Sequence, residues 1–530
     1  MKVLVADPIS PLGVEFLKNQ GFDVVEAYGS TPEQVKELVS DAEGVIVRSE
    51  TKITSDVLAV AKNLKAVGRA GVGVDNIDVP AATERGVVVM NTPTGNTIAT
   101  AELTFTHMMC GTRPIVQAHN SIMAGKWERG KFKGGELLNK TLLILGMGRI
   151  GSEIAKRAKA FGMKVLAYDP FLTQARADAI GVELIKNPAD GWPSADYITV
   201  HMPLTAATKY MMDEKAFDAM KKGVRVFNCA RGGIIKEAAL VEALKSGKVA
   251  AAGLDVFEDE PFDVNSPLRA FPNIVFTPHL GASTSEAQEC CGIEVAELIC
   301  DMLKNGVIKN AVNAPSVDAE TLAKVGPYVA LCEKLGTLVQ QLASNKIVKL
   351  SVSFYGKLSQ MDNKLLMLAL QKGYLKQISE SANDVNAPIQ LKHLGIEVES
   401  VNSSSDTSYA ELVEVTATDD KGEKISASGT VMGKIQTPRL VKLDDHTVEV
   451  NLRNSVILFL MNNDKPGIVG AIATLLGKFN SNIANMTLSR MPCAQKALSV
   501  YELDDKPSPE VVAEINKLDY VDNVKVVDFS

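Results

Sequence analysis

The chain is poor in the features that mark a protein out by class. Its 530 residues hold no unbroken apolar run of the roughly 18 a membrane-crossing helix needs. Met1-Lys2-Val3-Leu4-Val5 is a strand-like run with no charged stretch leading into an apolar one, so a cytosolic (cytoplasmic) protein is expected. Seven cysteines, an odd number without paired spacing, exclude a disulfide scaffold. Cys290 and Cys291 are adjacent; Cys110, Cys229, Cys300, Cys332 and Cys493 are scattered. None makes a zinc pattern, so no metal is expected and the thiols read as small buried hydrophobes. There is no basic excess: 56 Lys and Arg against 63 Asp and Glu give a net charge of −7. Nucleic acid and membrane surfaces are therefore excluded as principal partners. Repeats and low-complexity tracts are missing too. What remains is ordinary globular composition, 46% hydrophobic and 22% charged, in a length that suits roughly three to four domains.

Residues 1–95 alternate short β runs with amphipathic helices. Strands are expected at Val3–Ala6, Asp23–Glu26, Gly44–Val47, Lys65–Val67 and Val87–Met90, with helices at Pro11–Gln20, Pro32–Val39, Ser55–Ala61 and Val79–Arg85. That alternation predicts a parallel sheet covered on both faces. Its loops hold Arg48-Ser49-Glu50-Thr51, Gly68 to Asp75 and Asn91 to Asn96. Two arginines and two glycine-rich turns would meet at one edge as an anion site; the plainer alternative is solvated loop charge. One long helix is expected over Ile98–Ala124, then a basic and aromatic stretch, Gly125 to Lys133.

Thr141-Leu142-Leu143-Ile144-Leu145 then runs into Gly146-Met147-Gly148-Arg149-Ile150-Gly151, a helical pattern, and the strand Lys164 to Asp169. Gly146 permits a tight turn, Gly148 lets the backbone approach a pyrophosphate, and Gly151 lets helix pack on strand. The helix N-terminus offers N–H groups and partial positive charge to phosphates. Asp169 sits where a carboxylate bonds ribose hydroxyls and repels a 2′-phosphate. Strand, triplet, helix, strand and acid in register read as a site for NAD rather than NADP. Further strands are expected at Tyr197–Val200, Val224–Asn228, Ala250–Asp255 and Ile274–Thr277, and the helical run Ser283–Asn305 is expected to return to the first domain.

Three segments end strands in this half: Asn228-Cys229-Ala230-Arg231-Gly232-Gly233, Asp255-Val256-Phe257-Glu258-Asp259-Glu260-Pro261 and Thr277-Pro278-His279-Leu280-Gly281-Ala282. Their Arg, Glu and His would face the cleft that a nicotinamide enters. Oxidising a 2-hydroxy acid needs a base for the hydroxyl proton, and imidazole titrates near working pH. A carboxylate on the other ring nitrogen fixes the tautomer, and arginine holds the substrate carboxylate. Alone, His279 would be a satisfied core histidine, Glu260 turn chemistry and Arg231 a strand-end cap.

On these motifs the chain resembles the D-isomer-specific 2-hydroxy acid dehydrogenases. Arg69 to Asp78 and Gly125 to Phe132 look like those of the long-chain branch that oxidises 3-phospho-D-glycerate (3-phosphoglycerate). Residues 318–452 resemble that branch's intervening domain, and 455–530 an ACT regulatory domain with Asp464-Lys465-Pro466-Gly467 as its signature turn. The fold implied is α/β: two doubly wound parallel-sheet domains, flavodoxin-like and Rossmann, then an α+β intervening domain and a ferredoxin-like βαββαβ module. The first domain would be discontinuous, 1–97 plus 282–317, around a Rossmann domain at 98–281. The resemblance implies that Arg231, Glu260 and His279 are catalytic. It implies that Gly146, Gly148, Arg149, Ile150, Gly151, Asp169, Cys229, Ala230, Asp255 and His279 to Ala282, including Leu280 and Gly281, line the NAD site. It implies that Arg48, Arg69, Val72, Gly73 and Asn96 meet substrate, with Arg129 or Lys131 reaching across a dimer interface to its phosphate. The expected product is 3-phosphohydroxypyruvate, on the way to L-serine, made by a homodimer or homotetramer. Serine feedback through Asn462, Asp464 and Asn482 is also implied, with Asn462 standing where some members have histidine. The alternatives are a glycerate, glyoxylate or lactate dehydrogenase, or an NAD-binding amino-acid sensor.

Overall fold

The computed structural model describes residues 1–315, 319–453, 456–490 and 496–529, and side chains throughout these except at 319–323. Cys493 and the boundary positions 317, 318 and 455 lie outside the described residues.

Five short strands, β1 (Lys2–Val5), β2 (Asp23–Glu26), β3 (Gly44–Val47), β4 (Ala66–Arg69) and β5 (Val88–Asn91), form an all-parallel sheet in the order β2-β1-β3-β4-β5. β3 is buried throughout, as a strand covered on both faces must be. One face is covered by helices of the first 95 residues. Against the other lies the helix Ser285–Asn305, whose Val295, Ala296 and Ile299 share a core with Val3, Val5, Ile46 and Val88. Helix Pro11–Asn19 crosses it closely: a Cβ on Gly13 would stand 2.3 Å from the Gly292 carbonyl oxygen.

The second sheet is also all parallel: β6 (Thr141–Leu145), β7 (Lys164–Tyr168), β8 (Glu183–Leu184), β9 (Tyr197–Val200), β10 (Val224–Asn228), β11 (Val249–Leu254) and β12 (Ile274–Phe276), ordered β12-β11-β10-β9-β6-β7-β8. The order reverses between β6 and β9, where such sheets open a crevice at their carboxyl ends. The two-residue strand β8 is too short to stand out as a pattern.

The expected single helix Ile98–Ala124 is two helices, Thr97–Thr112 and Ile115–Met123. Pro114 explains the break. It has no N–H to donate, and its ring pushes the preceding residue out of the helical region; Arg113 is extended, at φ −119°, ψ 113°. Helix Thr97–Thr112 packs into the second domain through Ala101, Phe105 and Met108.

The remaining chain forms a six-stranded mixed sheet (strands from Ile347–Gly356 to His446–Asn451) and a four-stranded antiparallel sheet of Val456–Asn463, Ile483–Arg490, Lys496–Leu503 and Val521–Asp528. Helices Ile468–Lys478 and Pro509–Asn516 cover one face of the latter, giving the βαββαβ order. Its other face, with Ile457, Phe459, Val500 and Val527, shares one core with Leu335, Val415 and Ala427 of the six-stranded unit.

Candidate active site

One cleft of about 940 Å³ lies between the two parallel-sheet domains. Its walls include Arg48, Arg69, Val72, Gly73 and Asn96 from the first domain and Ile150, Cys229, Ala230, Arg231, Glu260, His279, Gly281 and Ala282 from the second.

His279 and Glu260 are already paired, Nδ1 to Oε2 at 2.8 Å. His279 has φ +55°, a left-handed conformation that a non-glycine residue holds only when its surroundings impose it. Asp255 imposes it. The Asp255 carbonyl accepts from the His279 N–H at 2.9 Å. Its fully buried carboxylate accepts from the Leu280 and Gly281 N–H groups at 2.7 and 2.9 Å and from the Thr277 hydroxyl at 2.5 Å. Thr277 has thus spent its one proton, so the 2.9 Å contact with His107 Nε2 requires His107 to donate. Burial keeps that imidazole's pKa down, with partial relief from Asp255. From the same helix, Thr100 Oγ1 donates to the Gly281 carbonyl at 2.8 Å. Helix Thr97–Thr112 therefore fastens the loop that carries His279.

Burial opposes ionisation of Glu260. The hydrogen bond and charge of His279, the Phe257 N–H and Arg231 outweigh it and hold the carboxyl below its ordinary range. Arg231 is seated by a turn that Asn228 ties down, accepting from the Ala230 N–H at 3.0 Å and donating to the Arg231 carbonyl at 2.8 Å. Its Nε reaches Asp75 of the other domain at 3.0 Å.

Two glycines make room for guanidinium groups. A Cβ on Gly71 would lie 1.7 Å from Arg69 Nη1, and one on Gly73 1.6 Å from Arg231 Nη2. Arg69 is driven down to about 10 by burial and then by repulsion from Arg231 and Arg48, with Asp75 giving partial relief. It remains a cation at neutral pH, and its Nε has no hydrogen-bond partner. This part of the cleft is short of negative charge.

The glycine-rich turn suits a dinucleotide. Gly146 has φ +100°, and a Cβ there would lie 2.4 Å from the His201 carbonyl oxygen, across the switch point. A Cβ on Gly151 would lie 2.1 Å from Gly146 O, whereas the space beyond Gly148 is open. Helix Arg149–Ala160 starts at Gly148 with no side-chain cap and no acid in its first turn, leaving the terminus to an anion. Asp169 accepts from the Met147 and Phe171 N–H groups, both at 2.8 Å, and so also fixes the turn. Arg149 reaches across to the Pro93 carbonyl at 3.5 Å. Leu280 is 39% exposed, and Cys229 is a buried thiol pushed up to about 12, unsuited to be a nucleophile.

The sequence reading missed His201; Ser49, named there only as part of its loop, also lines the cleft. His201 is held neutral by burial, which takes it down to about 3; its Nε2 meets Thr199 Oγ1 at 2.8 Å and its Nδ1 has no partner. Its place immediately after β9 was the available signal.

Other expected residues do not join the cleft of their own chain. Arg129 is exposed in a one-turn helix, Arg129–Lys131. Asn462 is fully buried, accepting from Ser499 Oγ at 2.7 Å; Asp464 pairs with Arg490 at 3.1 Å, and Asn482 donates to Asp504 at 2.6 Å. Asn462 and Arg490 both lie opposite Ala497, whereas Val456 and Ile483 both lie opposite Leu503. Asp464 and Asn482 are therefore at opposite ends of the sheet, about 20 Å apart at ~3.3 Å per residue. Among the described residues no cluster of His, Cys, Asp and Glu is arranged to hold a metal, and no helix is long and apolar enough to cross a membrane.

Residues 105–281 match the NAD binding domain of the D-isomer specific 2-hydroxyacid dehydrogenases, 324–444 the D-3-phosphoglycerate dehydrogenase intervening domain, and 455–520 the ACT domain. The chain is 42% identical over 531 residues to D-3-phosphoglycerate dehydrogenase of Archaeoglobus fulgidus, covering 100% of both chains. It belongs to the D-3-phosphoglycerate dehydrogenase family. The Bacillus subtilis relative of that name is 38% identical over 528 residues, 99% of each chain. Among solved structures, NAD+-bound 3-phosphoglycerate dehydrogenase of Entamoeba histolytica is similar at 30% identity and TM-score 0.51, over 60% of this chain and 99% of that one. A glyoxylate reductase from Paecilomyes thermophila is similar at 31% identity and TM-score 0.55, over 59% of this chain and 98% of that one. These structural likenesses do not extend over the whole chain; the Archaeoglobus and Bacillus relatives do.

Proposed function

We propose that the chain oxidises 3-phospho-D-glycerate to 3-phosphohydroxypyruvate with NAD, the entry to L-serine synthesis. The observation that carries this reading is the convergence of Arg48, Arg69 and Arg231 on the cleft that holds the His279–Glu260 pair. A 2-hydroxy acid alone needs one guanidinium for its carboxylate; a phosphate brings further charge for the other two. The named activities of the full-length relatives agree.

Arg231 holds the substrate carboxylate, and Arg48 and Arg69 take the phosphate. His279 has Nδ1 committed to Glu260, which leaves Nε2 as the nitrogen that accepts the C2 hydroxyl proton. Glu260 fixes the ring and stabilises the imidazolium as it forms. Gly146 to Gly151, with Asp169, hold the dinucleotide, and bound NAD supplies the hydride acceptor. NADH formation from 3-phospho-D-glycerate, compared with D-glycerate and D-lactate, tests the reading; turnover that ignores the phosphate contradicts it.

The working unit is a homo-oligomer, a dimer or tetramer, in which Arg129 of a second copy approaches the phosphate. Serine acts through the ACT module. With Asp464 and Asn482 at opposite ends of one sheet, a single serine meets both only between two copies. Calorimetry with L-serine should give saturable heat that Asn482→Ala abolishes; no heat at millimolar serine counts against this regulation.

A further inference from the structure

We infer that Asp7 is the positioning residue for the substrate's phosphate end: a buried carboxylate that shapes the Arg48–Thr51 loop and so aims Arg48. The inference rests on the phosphorylated-substrate reading above.

The first sheet has its own topological switch. Its order, β2-β1-β3-β4-β5, reverses between β1 and β3, and the crevice at that point receives two loops. Asp7 follows β1 and Arg48 follows β3. Asp7 is only 2% exposed, a costly place for a carboxylate unless its oxygens are fully used. They are. Oδ2 accepts from the Arg48 N–H at 2.6 Å, the Thr51 N–H is shared between Oδ1 and Oδ2 at 3.1 and 3.2 Å, and the Thr51 hydroxyl donates to Oδ1 at 2.5 Å.

Asn76, from the loop after β4, grips the same turn by its carbonyls. Its Nδ2 donates to Arg48 O at 2.9 Å and to Thr51 O at 2.6 Å. The loop is thus clamped by an acceptor on one side and a donor on the other. Ser49, between the clamped residues, and Arg48 both line the cleft.

The chemistry demands a carboxylate at position 7, not merely a residue of its size. Oδ2 faces only N–H donors, so an amide must keep its oxygen there and turn its NH₂ toward Thr51, whose hydroxyl then has to accept instead of donate. The Thr51 N–H keeps only its longer bond, and every contact loses the negative charge that strengthens it. Asp7→Asn therefore preserves volume and weakens the clamp. Arg48 would stay charged but lose its fixed origin, and the loss should fall on phosphate recognition alone, because Asp7 touches neither NAD residues nor His279.

The test is steady-state kinetics of Asp7→Asn and Thr51→Val, each shown to be folded by its thermal melt. The expected result is a KM for 3-phospho-D-glycerate raised roughly tenfold or more in Asp7→Asn and less in Thr51→Val, as fits loss of hydrogen bonds to a charged group. The KM for NAD and kcat at saturation should stay within about twofold of wild type, since uniform binding is what is lost. Activity on D-glycerate should be unchanged. An unaltered KM for 3-phospho-D-glycerate in folded Asp7→Asn would overturn the inference, as would a parallel loss on both acids. Should Asp7→Asn not fold, Thr51→Val decides alone: an unaltered KM overturns the inference. A wild-type enzyme that does not distinguish the two acids would overturn the substrate reading and this inference with it, whereas a discriminating wild type with indifferent variants defeats this inference only.

Discussion

Glu260 is ionised against the pull of its own burial, because His279 and the Phe257 N–H both need the anion. Its folded pKa lies below the ordinary 4.5, so the contact that orients His279 is intact above that value and is lost as pH falls through the lowered one. Glu260→Gln keeps the shape and removes the charge, and should lower kcat roughly 10²-fold while leaving the KM for NAD unchanged. Initial rates over the acid limb check this; wild-type kcat in Glu260→Gln would mean that the carboxylate does not serve the imidazole. The cleft positions of Arg231, Glu260 and His279 were legible because each lies in a loop leaving a buried strand of the sheet that the glycine-rich turn marks as dinucleotide-binding. Asp7 was not legible. Before Pro8 it reads as turn chemistry, and its partners Arg48 and Thr51 are brought to it only by the pairing of β1 with β3. His201 directly follows buried β9, a signal in the sequence that went unused; only its burial comes from the chain around it.

The parallel strands were the most legible elements, since strands covered on both faces are continuous apolar runs such as Gly44–Val47 and Tyr197–Val200. The error over Ile98–Ala124 came from weighing apolar content above one proline. How closely helices meet was also hidden, because it depends on which glycine faces which. Gly13 faces Gly292, and that contact seats helix Ser285–Asn305 on the first sheet after the chain has built an entire second domain. Gly13→Val should force the pair apart and cost about 1–3 kcal/mol, read as a lower denaturation midpoint with an unchanged slope. An unchanged midpoint would show that the crossing has slack that the backbone distance conceals.

At the scale of the whole molecule, the ACT module and the cleft are joined by packing. The ACT sheet shares a core with the intervening unit, and Val385 of that unit enters the core of the first domain, where Asn383 also donates to Gly86 O at 2.9 Å. The cleft in turn lies between the first domain and the dinucleotide domain, so a movement of the first domain alters where Arg48 and Arg69 stand relative to His279. The central claim is that this cleft reads a phosphate and a carboxylate together. The ratio of kcat/KM for 3-phospho-D-glycerate to that for D-glycerate, in wild type and in Arg69→Met, tests it most directly. The account predicts a large ratio in wild type that falls roughly tenfold or more in the variant, with D-glycerate oxidation little changed. A wild-type ratio near one, or a ratio that Arg69→Met leaves intact, would contradict it.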